Sequence, residues 1–470
     1  MSRWNLAWLL AIPAVAVLGL TLSHSAPVRD KDKDYEMVRL LVDVLDEVDK
    51  NYIRELDAEG KRKLVEDMIN GGLDHLDPHS SFMNPKEYKL FNTQSKGKFG
   101  GIGIQIGTDR QTGQLTVISP IVGTPAYEAG VLAGDAIVKI EGKSTDGMRL
   151  SEAVDMIQGD PGQKITLTVR HEGAKEDVDL PMTRAVIEMP SIMGDQRQAD
   201  DPKAWDYFMD KDSKIAYIRI VAFNENTGAD LEKVLQQLKK DGLKGLVIDL
   251  RNNPGGLLSA AVDVVNLFIE EGRIVSTKGR TIKERNFDAK PRNAVLTPAK
   301  DYPMAVLINK NSASASEIVA AALQDHGRAV IVGERSYGKG SVQNILRIEH
   351  DQSALKLTTA SYWRPNGKNI HRFPDAKDTD EWGVSPNENF DVAMKDQERI
   401  DYLIYRRDRD IVHGKPGNNP PTPPKPKLDK EGKEKPPFVD RVLEKAVEHL
   451  RGEVKKLNAA APALEPAIPA

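Results

Sequence analysis

The run Lys310-Asn-Ser-Ala-Ser-Ala-Ser-Glu317, followed by Gly338-Lys339-Gly340-Ser-Val-Gln343, carries the residue types needed for nucleophilic chemistry. The serines lie between the apolar stretch Tyr302 to Asn309, which reads as a buried strand, and the alanine-rich stretch Glu317 to Gln324, which reads as a helix. A hydroxyl at such a corner projects from the end of a sheet. The unpaired N–H groups of the helix's first turn can face an oxyanion. A serine, however, is a poor nucleophile without a base. Of the nine histidines only His326 falls near this segment, and no Gly-x-Ser-x-Gly elbow occurs. Lysine is the other candidate, provided burial lowers its pKa from about 10.4 to roughly 7–8. Lys339 suits this, because it follows the apolar run Ala329 to Gly333 and sits between glycines that allow close backbone approach. Gln343, four residues on, is placed to orient the lysine or a substrate carbonyl.

Each signal has a plainer reading. Small residues at a helix start are often caps, and Ser312, Ser314 and Ser316 are alike in type. Gly338 to Gly340 would serve as a solvated turn. Gly333 to Lys339 matches most of a phosphate-binding loop, but Gly340 stands where Ser or Thr should follow the lysine. The segments after it, Val342 to Arg347 and Ser353 to Ser361, read as strands where that motif needs a helix. A second corner runs from the strand Gly245 to Leu250, through Arg251-Asn-Asn-Pro-Gly-Gly256, into a helix Leu257 to Phe268. Paired glycines there expose N–H groups suited to a tetrahedral oxyanion; alone they would be an ordinary turn.

Taken together, Leu76-Asp-Pro-His-Ser-Ser81, Gly100-Gly-Ile-Gly-Ile104, Asp249 to Gly256, Ser312 to Glu317 and Gly338 to Gln343 occur in an order that resembles the C-terminal processing (tail-specific) proteases. The resemblance covers roughly residues 35–400. It implies Ser314 as nucleophile, Lys339 as general base and Gln343 as the supporting third member. It also implies an oxyanion hole from Gly255, Gly256 and the amide of Ala315, with no metal or other cofactor. One departure stands out: the polar stretch Arg372 to Trp382 separates Tyr362-Trp-Arg-Pro-Asn-Gly367 from Gly383-Val-Ser-Pro386, and is expected to lengthen a loop beside the site.

Those groups need domains to hold them. A length of 470 residues suggests about three domains at roughly 150 each. The net charge of −4 and the lack of a basic face with interleaved aromatics argue against nucleic acid. With no cysteine there is neither a disulfide framework nor a thiolate metal site, which suits an exported protein. Residues 1–28 read as a signal peptide or a retained membrane anchor: Arg3 is the only charge before Arg29, and Leu6 to Leu22 is almost wholly apolar. Either sends the body across the inner membrane, to a periplasmic or envelope location.

Residues 35–95 form a helical region, with Val38, Leu41, Val42, Leu45 and Val48 at helical spacing. The resemblance adds a homodimer contact through these helices. Residues 97–184 resemble a PDZ domain. Their strand Gly101 to Ile106 follows a glycine turn whose N–H groups, over Gly101, Ile102, Gly103 and Ile104, suit a terminal carboxylate. Val154 and Ile157, on the helix Leu150 to Ile157, suit a pocket for an apolar end residue. Arg170 closes the strand Lys164 to Arg170 as a candidate link to the rest of the chain. Residues 187–400 read as an α/β protease domain, related by the resemblance to the crotonase and ClpP folds. A Pro/Lys-rich linker (412–437), a helix (438–458) and a disordered tail (459–470) follow. The expectation is therefore a multidomain α/β, exported serine endopeptidase that takes proteins with free apolar C-termini. Its rivals are a non-catalytic PDZ adaptor and a hydrolase of non-peptide acyl groups.

Overall fold

A computed structural model describes residues 31–109, 112–198, 201–281, 283–291, 302–413 and 437–460. The leader or anchor expected at 1–28, and nearly all of the expected linker and tail, lie outside the described residues. No described helix is long and apolar enough to cross a membrane. The described residues divide into two compact units, the first ending at Gly72 and the second beginning at Leu73. In the first, α1 (Lys31–Asn51) and α2 (Ala58–Asp74) are amphipathic, and Tyr35, Val38, Leu41 and Val42 of α1 are exposed.

The second unit opens with β1 (Ser81–Met83) and α3 (Pro85–Ser95). Asn84 caps α3: its side chain accepts the Glu87 N–H, and Glu87 reaches back to the Asn84 N–H. A small sheet module follows, comprising β2 (Lys98–Gly101), β3 (Ile104–Thr108), β4 (Leu115–Pro120), α4 (Pro125–Glu128), β5 (Ala136–Ile140), β6 (Lys143–Ser144), α5 (Leu150–Ile157), β7 (Lys164–Arg170), β8 (Val178–Thr183) and β9 (Ala185–Glu188). Its sheet runs β3-β4-β5-β7-β8, with β6 beside β5 and a separate antiparallel pair of β2 with β9. The strand expected over Gly101 to Ile106 is two strands, broken at Ile102-Gly103. Gly103 has φ +80°, and a Cβ there would lie 2.4 Å from Thr124, whose hydroxyl donates to the Gly103 carbonyl at 3.1 Å. Thr124 therefore wedges the chain apart at that point.

The larger core begins with β10 (Ile192–Met193), β11 (Gln196–Arg197), β12 (Trp205–Asp206), β13 (Phe208–Asp210) and β14 (Ile215–Ile220), and continues through α6 (Thr227–Lys240), β15 (Gly245–Asp249), α7 (Leu258–Val265), β16 (Arg273–Lys278) and β17 (Arg285–Asp288). Then come β18 (Met304–Ile308), α8 (Ala315–Asp325), β19 (Val330–Gly333), β20 (Ser341–Ile348), β21 (Ser353–Trp363), α9 (Asp396–Asp410) and α10 (Arg441–Ala460). Strands β14, β15, β18 and β19 are parallel neighbours, and β14, β15 and β18 are buried along their whole length. A sheet buried on both faces needs near-continuous apolar strands, which Ile215-Ala-Tyr-Ile-Arg-Ile220 and Met304-Ala-Val-Leu-Ile308 nearly supply. One face packs on α6, α7 and α8. The other packs on α9 and α10, where Tyr217, Val247, Leu307 and Val332 meet Tyr402, Val442, Ala446 and Leu450. A second sheet, β1-β21-β16-β17 with β20 on β21, stands beside the first.

Two contacts tie distant segments together. Val412 and His413, at the head of the stretch read as linker, bind the small module: the Val412 N–H donates to Ser119 Oγ at 2.9 Å, and the Ala133 N–H to the His413 carbonyl at 3.4 Å. The fully buried Arg251 guanidinium bridges Asp249 at the end of β15 and Asp440 before α10. Burial alone would raise the Asp249 carboxyl, but the Arg251 charge together with the hydrogen bonds from Arg251 and Tyr217 outweighs burial and holds it below the usual value.

Candidate active site

Ser314 sits where β18 turns into α8, and its backbone is strained, with φ 57° and ψ −113°. A non-glycine residue held there costs on the order of 1–3 kcal/mol, which the surrounding contacts must over-determine. They do. Ser312 donates its hydroxyl to the Leu250 carbonyl at 2.8 Å, Ser316 donates to the Asn253 carbonyl at 3.0 Å, and the Ala313 N–H also reaches Asn253. The three serines are thus unequal. Ser312 and Ser316 are wholly enclosed and spend their hydroxyls locking the β18–α8 corner to the β15–α7 corner.

Gly255 lies directly against Ser314, and Gly256 packs against Phe223. A Cβ on Gly255 (φ +101°) would fall 2.8 Å from Ser314 Cβ and 2.9 Å from the Ala315 nitrogen. A Cβ on Gly256 would fall 2.1 Å from the Phe223 carbonyl oxygen. Neither position admits a side chain. The expected donor set needs one correction: the Gly255 N–H is turned inward to Asn253 Oδ1 at 2.8 Å, inside its own Asx turn.

Lys339 reaches the site on the loop between β19 and β20. Its tether is Glu317, a fully buried carboxylate on the first turn of α8. Glu317 Oε2 accepts the N–H groups of both Ser314 and Lys339 at 2.8 Å, while Oε1 accepts the Gly338 N–H and the Ser336 hydroxyl at 2.6 Å. One oxygen atom thus holds the backbones of Ser314 and Lys339 together. Burial pushes the Glu317 carboxyl up to about 7, against the four donors that favour its charge. Burial, with Lys356 nearby, moves the Lys339 ammonium below the usual lysine value; Glu317 and Asp77 oppose the shift.

Lys339 lines a cleft of about 680 Å³ together with Asp77, His79, His371, Arg372 and Trp382. Gln343 lies on β20 and donates to Ser341 Oγ at 2.9 Å and Thr358 Oγ1 at 3.1 Å. His326 is turned away, its Nε2 against the Arg273 carbonyl at 2.7 Å.

Residues 214–400 match the model of peptidase family S41, and residues 116–171 that of a PDZ domain. The carboxy-terminal-processing protease of Bartonella bacilliformis is 41% identical over 356 residues, covering 75% of this chain and 76% of that protein. The chain belongs to the carboxy-terminal processing proteases. A carboxyl-terminal-processing protease of Synechocystis sp. is 31% identical over 397 residues, covering 82% of this chain and 86% of that one. Among solved structures, the photosystem II D1 C-terminal processing protease is 27% identical, with 75% of this chain and 92% of that chain covered and a TM-score of 0.40. The protein is a serine-type peptidase, a multidomain α/β enzyme that carries a PDZ domain.

Within the PDZ domain of this processing protease, the expected tail-binding residues are only partly free. Ile102 is wholly buried and its carbonyl accepts the Ala126 N–H at 2.9 Å; the Gly103 carbonyl is taken by Thr124 and Ile121. Gly101 pairs with Ala185, and Ile104 with Pro120. Ile157 belongs to the domain's own core, while Val154 is half-buried on the face of α5. Arg170 is spent inside the domain, on Asp177 at 2.7 Å.

The polar stretch Arg372 to Trp382, expected from the sequence to lengthen a loop beside the site, is held by contacts the sequence does not announce. Arg335 holds it, stacking its guanidinium 3.9 Å from the Trp382 ring and donating to the Trp382 and Asp378 carbonyls. Arg372 stacks 4.5 Å from the same ring on the protease's cleft. Glu317 was legible as well: Ser314-Ala-Ser-Glu317 has the spacing of a capping box.

Proposed function

We propose that this processing protease is an exported Ser-Lys endopeptidase that engages the C-terminal tail of protein substrates through its PDZ domain. The observation that carries the reading is the shared acceptor: Glu317 Oε2 draws the Ser314 and Lys339 backbones to a single point, while Ser312 and Ser316 are committed elsewhere. In this reading the neutral Lys339 amine takes the Ser314 hydroxyl proton as Oγ attacks the scissile carbonyl carbon. The oxyanion accepts the N–H groups of Gly256 and Ala315. Collapse breaks the C–N bond, Lys339 returns its proton to the departing amine, and an ester to Ser314 remains. Water then attacks the ester as Lys339 takes its proton; collapse breaks the C–O bond to Ser314, Lys339 returns the proton to Ser314 Oγ, and the new carboxyl end leaves. Gln343 supports Lys339.

Wild type, Ser314→Ala and Lys339→Arg are compared on an unfolded protein substrate. Both variants lose cleavage and keep their fold, the second because a guanidinium stays protonated. Full cleavage by either variant would refute the Ser-Lys reading and point to another catalytic group, whereas no cleavage by the wild type would restore the non-catalytic adaptor. For tail recognition, the Ser314→Ala protein binds a free-acid peptide with an apolar end more tightly than its C-terminal amide; equal affinities would refute carboxylate capture. The leader-like residues 1–28 support export and periplasmic or envelope residence, tested by fractionation and N-terminal sequencing. The exposed apolar side chains of α1 support pairing of two copies, tested by sedimentation.

A further inference from the structure

Gln343 would help Lys339 only if its amide presents the carbonyl oxygen, an acceptor, to the ammonium form; the opposite flip would present N–H groups and repel it. The structure contains a device that decides the flip. Strands β20 and β21 run in register from Ser341↔Ser361 to Val342↔Ala360, and then the register shifts so that Gln343 faces Thr358. Thr359 is the extra residue of this bulge, and its buried hydroxyl finds no partner among the described residues. Without the bulge Gln343 would face Thr359.

The Thr358 hydroxyl is itself polarised. It donates to Asp77 Oδ1 at 3.0 Å, and a carboxylate can only accept. Thr358 Oγ1 therefore offers Gln343 a lone pair and no proton. Ser341 Oγ takes the second amide N–H at 2.9 Å, so both hydrogens of Nε2 are spent and the carbonyl oxygen is the free end. Asp77 is fixed in place by three donors. The His79 and Ser80 N–H groups donate to Oδ1 at 2.8 and 3.0 Å, and the Ser80 hydroxyl to Oδ2 at 2.7 Å. Ser80 Oγ in turn accepts the Thr358 N–H at 3.0 Å, which clamps the Asp77-Pro-His-Ser80 segment to β21. Burial would raise the Asp77 carboxyl, but these donors outweigh it and keep Asp77 below the usual value, charged and accepting.

We propose that Asp77 and Thr358 are positioning residues that act through one another to set which end of the Gln343 amide faces Lys339. The proposal rests on the reading of Lys339 as base. It gives the Leu76-Asp-Pro-His-Ser-Ser81 segment a part in the reaction beyond closing the cleft.

The test measures kcat, KM and the pH–rate profile of the full-length enzyme on a fluorogenic peptide. Thr358→Val keeps the shape and removes the lone pair. It lowers kcat at least tenfold, with KM changed less than twofold. Because the ammonium loses an acceptor, the acid limb of the profile moves to lower pH. That limb also feels Lys356, Glu317, Asp77, His79 and His371; of these Thr358→Val touches only Asp77, by removing one of its donors, and Ser341→Ala, which leaves that donor in place, separates the two effects. Thr358→Ser restores kcat to within about threefold of wild type. Ser341→Ala removes the other acceptor, leaves the Asp77 clamp intact, and gives the same direction of change if valine is not accepted by the fold. Wild-type kcat and acid limb in both Thr358→Val and Ser341→Ala would overturn the proposal; so would a Thr358→Ser enzyme as impaired as the valine variant. If Ser314→Ala or Lys339→Arg retained full cleavage, the Ser-Lys reading itself would fall. If both are inactive while Thr358→Val is normal, only the positioning device falls.

Discussion

Glu317→Gln is the sharpest perturbation of this site, because its effect changes with pH in a calculable way. Glutamine keeps one acceptor oxygen and replaces the other with an NH2 group. If that group takes the Oε2 place it meets two N–H donors, those of Ser314 and Lys339. In the Oε1 place it meets the Ser336 hydroxyl, which can turn to accept, and the Gly338 N–H, which cannot. The second arrangement costs less and leaves one buried N–H unpaired, worth about 1–3 kcal/mol. Against this, wild type carries a burden that glutamine removes. The Glu317 carboxyl stands at about 7 in the folded state against an ordinary 4.5. Between those values the folded protein holds a proton that the unfolded chain has lost, so stability falls as pH rises through the window, by about 3 kcal/mol in all. The variant should therefore be about 1–3 kcal/mol less stable than wild type at pH 5, with the gap closed by pH 8. Since the misfit falls on Gly338, beside Lys339, kcat should drop roughly 5–150-fold if that energy is lost in the transition state. Urea denaturation at the two pH values, with cleavage assays alongside, tests this. A stability difference independent of pH would refute the buried-carboxylate argument, and an unchanged kcat would refute the tether.

Three further outcomes follow from the same contacts. Wild-type activity should rise with pH as Lys339 loses its proton, with the acid limb below the ordinary lysine value because burial and Lys356 lower it; a limb near 10.5 would contradict the described cleft. Trp382→Ala removes the ring stacked between Arg335 and Arg372, worth about 1–2 kcal/mol for two exposed cation–π contacts. It should alter which bonds of an unfolded protein are cut, read by mass spectrometry of the products, and an identical cleavage map would deny the stretch a part in substrate choice. Asp440→Ala strips the buried Arg251 of one carboxylate and should destabilise the protein by about 3–5 kcal/mol in urea, whereas a loss under 1 kcal/mol would show the pair to be dispensable.

What the sequence made legible depended on the range of the interaction. Strands β14, β15, β18 and β19 announce themselves as apolar runs, because burial on both faces leaves little choice of residue. Helix α5 and strand β7 have the bounds their periodicity gives, Leu150–Ile157 and Lys164–Arg170. The strained corner at Ser314 was marked by small residues between strand and helix. Other features were silent because they arise between segments far apart in the chain. No local pattern announces that Thr124 splits the strand at Gly103, or that a bulge turns Thr358 toward Gln343. The inward turn of the Gly255 amide depends on Asn253 two residues away, yet the same Asn-Pro-Gly run would equally well leave that amide open. The helix α10 pattern was readable, but its place on the central sheet was not, since only the partner face of the sheet specifies it.

That placement bears on how the enzyme is made. A ribosome delivers the chain N-terminus first, and domains fold as their segments emerge. By the time β19 has appeared, Tyr217, Val247 and Leu307 are in the chain, yet they still lack the cover that Val442, Ala446 and Leu450 provide. Arg251, which leads into the Gly255-Gly256 corner, has only half of its carboxylate pair until Asp440 arrives. The catalytic corner therefore waits on a helix nearly 200 residues downstream (440 − 251 = 189). A nascent chain of this protease that has not yet yielded α10 therefore lacks one wall of its central sheet and one carboxylate of Arg251, and the segment that reads as an appendage is what supplies both.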